Sequence, residues 1–435
     1  MRSTTPVLYA ALTLGMAVLL APARLGAEAW TLDSYKAEVL RTSYDVKKAA
    51  EDAEIYRGQY VSDLAAFWLP SVLIGASDSP YSSANSPKWR FEKGDVTAGV
   101  TARLNLYNNF KDKLAVDASR ASSKVYEHRL WQERQRIALA AMQNYYGVLR
   151  KKRLLEVVRN SLVSYQQQYE KVALYYKEGM KSYSDLLKSE LNVRSSQLSE
   201  ASSIEDYRNS VMDLNLAVYR QPEEEAALAD EMSVSTEVSA AAAGDIAFAL
   251  EHRPELRVLR LETQRAGYTS RKAALERLPD LSMDAYYDRR GLGAWGKPAA
   301  GSVNPTYYLN LSLSLSLGPV TFAESQSAFE ARTGLERARR ALYEAELQVR
   351  RDVVSSGLAL DTALKRYEVS TLKSGISKAS LEIVNTRYTE GRSGIVELAD
   401  AQRDDLQAGS DLANALYDLL LARAGYDRAL GRQLW

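Results

Sequence analysis

Two histidines, His128 and His252, are the only imidazoles among the 435 residues, they lie far apart in sequence, and the chain has no cysteine. Without thiols there are no disulfides, no thiolate nucleophile and no Cys-ligated metal, and no acceptor for a lipid anchor near the N-terminus. Paired histidines, a nucleophile motif and a metal-ligand cluster are all lacking, so no constellation nominates a catalytic centre. The run Gly291-Leu-Gly293-Ala-Trp-Gly296 matches the dinucleotide fingerprint by letter. That fingerprint works only where a helix starts directly behind it, and here Lys297-Pro298 and a loop follow. No phosphate-binding P-loop is present either. The carboxylates are too many and too scattered to form an acid/base pair. Glu397 and Asp400 are set apart only by following a glycine turn, and acidic side chains there suit the positive end of a helix. The chain reads as a non-enzyme without a cofactor.

Charge and length narrow the classes further. Lys and Arg number 56 against 55 Asp and Glu, a formal net charge of +1, with none of the basic surplus of a nucleic-acid binder. At the N-terminus Arg2 precedes an apolar run from Val7 to Ala21 and a small-residue site at Ala27-Glu28-Ala29. That is the pattern of a secretory signal peptide, residues 1–29, cut near Ala29. The run falls short of the ~20 residues a spanning helix needs, and no later stretch reaches that length. A membrane crossing by this chain must therefore use strands.

The elements that would hold such surfaces are written in the prolines. None falls between Pro87 and Pro222, or after Pro319, and proline-free tracts are where long helices can form. Leu155, Val158, Leu162, Tyr165, Tyr169, Val172 and Tyr176 recur at steps of three and four, as do Val369, Leu372, Ile376, Ala379 and Ile383. That spacing lines one face of a coiled-coil helix. A helix from Lys111 to Lys177 would extend about 100 Å, which no compact domain accommodates. Each rod ends in a glycine turn, Tyr176-Lys-Glu-Gly179 and Tyr388-Thr-Glu-Gly391. Glycine suits the left-handed C-cap, and Ser182 or Ser184, and Ser393, are the expected caps of the returning helices.

The turns belong to an internal repeat. Superposing Gly179 on Gly391 sets Val172 on Val384, Tyr176 on Tyr388 and Leu186 on Leu398, while Leu69-Pro70 matches Leu278-Pro279. The expected division is 30–222 for the first copy, 223–243 for an acidic, then Ala/Ser-rich linker, and 244–435 for the second. Four strands are expected: Pro70–Ser77, Asp95–Tyr107, Asp280–Asp288 and Thr306–Leu317. Leu309, Leu311, Leu313 and Leu315 alternate with Asn310, Ser312 and Ser314, the period-two pattern of a barrel strand with one lipid face. A closed membrane barrel takes about eight or more strands and an open edge cannot sit in lipid, so several chains must share one barrel. The fold class is α+β, a long coiled coil joined to strands. A periplasmic coiled-coil scaffold or adaptor is the alternative, although an adaptor would carry one hairpin and not two.

The duplicated helix–strand–strand–helix unit, the Tyr-x-x-Gly turns followed by Asp185-Leu-Leu or Glu397-Leu, Leu-Pro ahead of the strands, and His252-Arg-Pro-Glu-Leu256 together resemble the TolC-type outer-membrane efflux family. The resemblance covers essentially the whole mature chain. It implies a homotrimer whose twelve strands form one barrel in outer-membrane lipid and whose twelve helices form a periplasmic helical barrel. It further implies a passive duct for efflux or type I secretion in a diderm bacterium. The implied partners are a periplasmic adaptor docking beside the Gly179 and Gly391 turns and an inner-membrane transporter of RND or ABC type. Glu397 and Asp400 correspond to the family's acidic entrance constriction, with Glu397 where the family has Asp. Tyr388 and Asp185 correspond to its latch, whose arginine position is Ser393 here, with Arg392 and Arg387 nearby.

Overall fold

The computed structural model describes residues 29–77, 97–229, 243–290, 305–314 and 322–435. The signal segment up to residue 28, the glycine motif at 291–296, linker residues 230–242 and Leu315 lie outside the described residues. The first half runs α1 (Leu32–Thr42), α2 (Tyr44–Trp68), β1 (Ser71–Ser77), β2 (Thr97–Tyr107), α3 (Lys111–Lys177) and α4 (Tyr183–Ala217). The second runs α5 (Ala243–His252), α6 (Pro254–Leu275), β3 (Asp280–Arg290), β4 (Pro305–Ser314), α7 (Phe322–Thr389) and α8 (Ile395–Leu430).

The two rods have 67 and 68 residues, each about 100 Å long at 1.5 Å per residue. Helix starts and stops follow local chemistry. Thr31 and Ser182 both form capping boxes, with Ser34 and Asp185 respectively, each satisfying two otherwise orphaned amides. Pro254 opens α6, where its missing N–H costs nothing. The expected Ser393 cap is not formed. Gly394 is the N-cap of α8 with no side-chain bond, and Ser393 Oγ donates instead to Glu397 Oε2 at 2.6 Å. The carboxylate one turn into the helix is the stronger acceptor for that hydroxyl.

The strands form one antiparallel sheet in the order β1-β2-β3-β4. Residues directly opposite one another share a face, so the register separates the two sides. Val72, Ile74, Val100, Ala102, Leu104, Met283, Ala285, Leu309, Leu311 and Leu313 fall on one face. Arg103, Asp284, Tyr286, Tyr308, Asn310 and Ser312 fall on the other. Among the described residues β1 and β4 each have one unpaired edge.

Beneath the sheet α3 packs on α2 and α6, and α6 on α7; farther along, α3 packs on α4 and α8, and α8 on α7. Two apolar clusters hold the middle of the rods. Tyr35, Tyr145, Val148 and Leu214 tie α1 and α4 to α3, while Ala249, Leu256, Val353, Leu419 and Leu430 tie α5 and α6 to α7 and α8. Arg253 is buried at the second, its Nε donating to Ala429 O at 2.8 Å and its guanidinium pairing with Asp352 at 3.2 Å. That explains the Arg of the His252-Arg-Pro-Glu-Leu256 run: it closes the C-terminus of α8 against the start of α6.

The two apolar stripes expected from sequence have different fates. Leu155, Leu162 and Val172 are buried within the chain. Val369, Leu372, Ile376 and Ile383 are more than half exposed. The packed side of α7, through Leu360, Ala363, Val384 and Tyr388, is turned toward α8, about half a helical turn away. The second stripe is left largely uncovered, and Val369, Leu372 and Ile376 line an open groove with Ala401, Asp404 and Gln407 of α8.

Candidate functional site

The far ends of the rods carry the candidate entrance. Both glycines adopt the left-handed conformation, φ 75° at Gly179 and 73° at Gly391. Each turn closes with the same two bonds: Gly179 N to Tyr176 O and Met180 N to Tyr175 O, Gly391 N to Tyr388 O and Arg392 N to Arg387 O, at 2.8–3.1 Å. These are the paired bonds of a Schellman cap. A cluster of Val172, Val384, Tyr388, Ile395, Leu398 and Ala401, with Leu186 against it, binds the two hairpins of one chain together.

Tyr388 is the centre of that cluster, 1% exposed. Lys181 Nζ lies over its ring, 4.4 Å from the centroid, close enough for a cation–π attraction. The Tyr388 hydroxyl and Gln168 Nε2 are both buried without a hydrogen bond among the described residues. Burial first, and then the charge of Asp185, pushes the Tyr388 pKa up, against a smaller lowering by the Gln168 amide beside it; burial and the carboxylate favour the neutral phenol. The Asp185 carboxylate itself accepts from Ser182 N at 3.4 Å in the α4 capping box. The structure thus brings Tyr388 and Asp185 near one another, and what joins the hairpins at Tyr388 is ring packing. Lys181 and Gln168 were not singled out in the sequence. Gln168 is a polar interruption beside the Tyr165–Tyr169–Val172 stripe, which was the available signal.

Glu397 and Asp400 are exposed on the first turns of α8. Besides the Ser393–Glu397 bond, Arg403 Nη2 pairs with Asp400 Oδ1 at 2.5 Å, and Arg392 pairs with Glu390 at 3.2 Å. The Asp400–Arg403 pair joins two exposed side chains, so water and salt screen it heavily. Neither histidine contributes to this end. His252 Nδ1 lies 3.0 Å from Phe248 O, and His128 sits between α3 and α6, its pKa lowered chiefly by burial and then by Arg257. Among the described residues no group of three His, Cys, Asp or Glu is placed to hold a metal, and no described helix is long and apolar enough to cross a membrane.

The sheet supplies the other candidate surface. Leu309, Leu311 and Leu313 are all strongly exposed on a face whose neighbours across the register are Ala285, Met283 and Leu281. The opposite face carries an ion pair, Arg103 Nε to Asp284 Oδ1 at 2.5 Å, and Tyr286 stacked on Tyr308 with centroids 4.6 Å apart. One face of the sheet is thus apolar and exposed, and the other polar.

Comparison with known proteins bears on this geometry. Residues 37–218 and 246–432 match the family described as Outer membrane efflux protein. The chain is 21% identical over 370 residues to Outer membrane protein TolC of Vibrio cholerae, spanning 83% of this chain and 82% of that protein. Among solved structures it resembles VceC of Vibrio cholerae, with a TM-score of 0.79 at 16% identity over 93% of this chain and 97% of that one. The open-state MtrE channel of Neisseria gonorrhoeae gives a TM-score of 0.79 at 18% identity, covering 93% and 89%. At these identities the structural likeness speaks to the fold.

Proposed function

We infer function from the premise that this chain belongs to the outer membrane efflux protein family: it is an outer-membrane channel that reaches into the periplasm and conducts solute passively outward. The observation that carries the reading is the sheet, apolar on one side, polar on the other and, among the described residues, unpaired at both edges, joined to rods of about 100 Å. A four-stranded sheet with open edges must be completed by other copies to stand in lipid. Three chains supply twelve strands and a helical tunnel beneath them. The apolar face, with Leu309, Leu311 and Leu313 and by its alternation Leu315, meets outer-membrane lipid. Solute moves along the polar face, and energy comes from an inner-membrane transporter of RND or ABC type through a periplasmic adaptor that docks beside the Gly179 and Gly391 turns. The scaffold alternative is disfavoured because the family match spans both hairpins and all four strands.

The glycine-turn end is the gate. Tyr388 with Asp185 latches the hairpins closed, and Glu397 with Asp400 from three chains form an acidic constriction. Carboxylates gathered in a narrow ring attract cations, and Arg403 moderates the charge without abolishing it. Single-channel conductance in planar bilayers tests this directly. Multivalent cations added on the turn side are expected to block current, and Glu397→Gln with Asp400→Asn should raise the blocking concentration ten-fold or more. Unchanged block in that variant removes the acidic ring, and a protein that conducts no current removes the duct.

A further inference from the structure

A shallow recess of about 170 Å³ between α3 and α6 is lined by Asp117, Arg120, Lys124, Leu261, Gln264 and Tyr268. Lys113 and Arg271 extend its basic row toward the sheet, and Arg257 extends it the other way. The carboxylates set among these five cations are Asp117 and Glu127. Among the described residues Lys113, Arg120, Lys124 and Arg271 have no ion-pair partner. Cations turned the other way are answered: Arg129 pairs with Glu262 at 2.7 Å, and Arg136 with Asp45 and Glu133. Inside the recess Gln264 Nε2 donates to the Tyr268 hydroxyl at 2.9 Å, which leaves the phenolic proton for an acceptor from outside.

Helix periodicity places this row on the outside of the tunnel. Helix α1 covers Ala141, Tyr145 and Val148 of α3, and steps of seven back from Tyr145 reach Ala138, Trp131, Lys124 and Asp117 on the same face. On α6 the matching column is Arg257, Gln264 and Arg271. Helix α5 lies on that side too, since the carbonyls of Glu251 and Leu250 accept from Arg257 and Arg260 at 3.4 and 2.9 Å. Twelve helices spaced about 10 Å apart enclose a space roughly 30 Å wide. Three copies of both short helices, each about 10 Å across, would fill it. The face bearing α1 and α5 is therefore the outer one, and α3 and α6 are the inner pair of the protomer, away from both seams.

We propose that this outer face is a docking surface for the peptidoglycan layer, whose peptide-stem carboxylates seat on Arg120, Lys124 and Arg271. The inference rests on the reading that three copies form an outer-membrane channel reaching into the periplasm. Depth separates the polymer from lipid. Arg120 and Lys124 lie about 14 and 20 Å along α3 from Lys111, at 1.5 Å per residue, whereas headgroups extend only about 5–8 Å beyond the hydrocarbon. Composition separates it from a protein partner. Among the described residues no strongly exposed large apolar side chain lies on α6, or on α3 ahead of Val163, so the charge-poor aromatic centre of a protein interface is missing. A row of cations along the rod suits a polyanion held at many points.

The test sediments the full chain, held in phosphatidylcholine nanodiscs, with purified peptidoglycan sacculi. Wild type is expected to sediment at low salt and to be released as salt rises. Arg120→Gln with Lys124→Gln and Arg271→Gln should bind about ten-fold more weakly. Sacculi whose carboxyls have been amidated should bind neither protein. Lys171→Gln with Lys188→Gln and Arg208→Gln removes the same charge far from the recess and should bind as wild type does. Equal loss in the two triple variants, or full binding to amidated sacculi, overturns the proposal. So does flotation with phosphatidylglycerol vesicles without sedimentation on sacculi, which assigns the face to lipid. Conductance of the same proteins in planar bilayers keeps the two readings apart. A wild type that conducts but does not sediment overturns the docking surface and leaves the channel standing. A wild type that does not conduct removes the channel, and the outer face with it.

Discussion

Leu311→Arg is expected to abolish assembly in the outer membrane, whereas Asn310→Arg, one residue away, should be tolerated. Leu311 is 63% exposed and sits opposite Met283 on the apolar face, near the middle of the described part of β4. An arginine on the lipid side of a barrel at mid-depth costs about 2–4 kcal/mol. A barrel of three chains carries the substitution three times, for a total on the order of the whole stability of a typical domain. Asn310 points to the polar face, where a guanidinium keeps its water. The measurement is the amount of detergent-extracted, SDS-resistant trimer in the outer-membrane fraction. Loss with Leu311→Arg and retention with Asn310→Arg is the expected pair of results. Normal trimer with Leu311→Arg would mean that this face does not meet hydrocarbon.

Much of this architecture was legible because its signals are local and repeated. The first rod was expected from Lys111 to Lys177, and that is where it runs, since proline exclusion, an apolar three-four period and a glycine cap all act within a few residues. The strands were equally plain where Leu alternates with Ser or Asn. What periodicity does not carry is the identity of the partner. The stripe through Leu155, Leu162 and Val172 and the stripe through Leu372 and Ile376 have the same spacing, yet one is buried within the chain and the other faces outward. Spacing defines a face, and only tertiary placement says what covers it. For the same reason the Ser393–Glu397 bond, the burial of Gln168 Nε2 beside Tyr388 and the register shift between Asn105 and Tyr107 were not readable. Each depends on the geometry of a neighbouring element.

The exposed stripe sets the second large expectation: Leu372→Glu with Ile376→Glu should leave a folded helical chain that no longer trimerises. On the opposite flank of the protomer α4 exposes Leu187, Leu191 and Leu198, on the side away from the Ser189, Val193 and Ser196 row that packs on α3. Counting from the glycine turns, Ile376 falls between the heights of Leu191 and Leu198, so α7 of one copy can lie along α4 of the next. Burying a Leu or Ile is worth about 1.5–3 kcal/mol, and two such side chains at each of three seams make a large share of the assembly energy. A glutamate there forfeits that burial and must be desolvated as well. Within the protomer the same positions line an open groove and belong to no buried cluster, so the far-ultraviolet circular dichroism of the variant should be unchanged. Light scattering in detergent is the deciding measurement. A monomer mass with native helicity is expected; a trimer mass would show that the seam lies elsewhere, and lost helicity would show that the stripe is needed by its own chain.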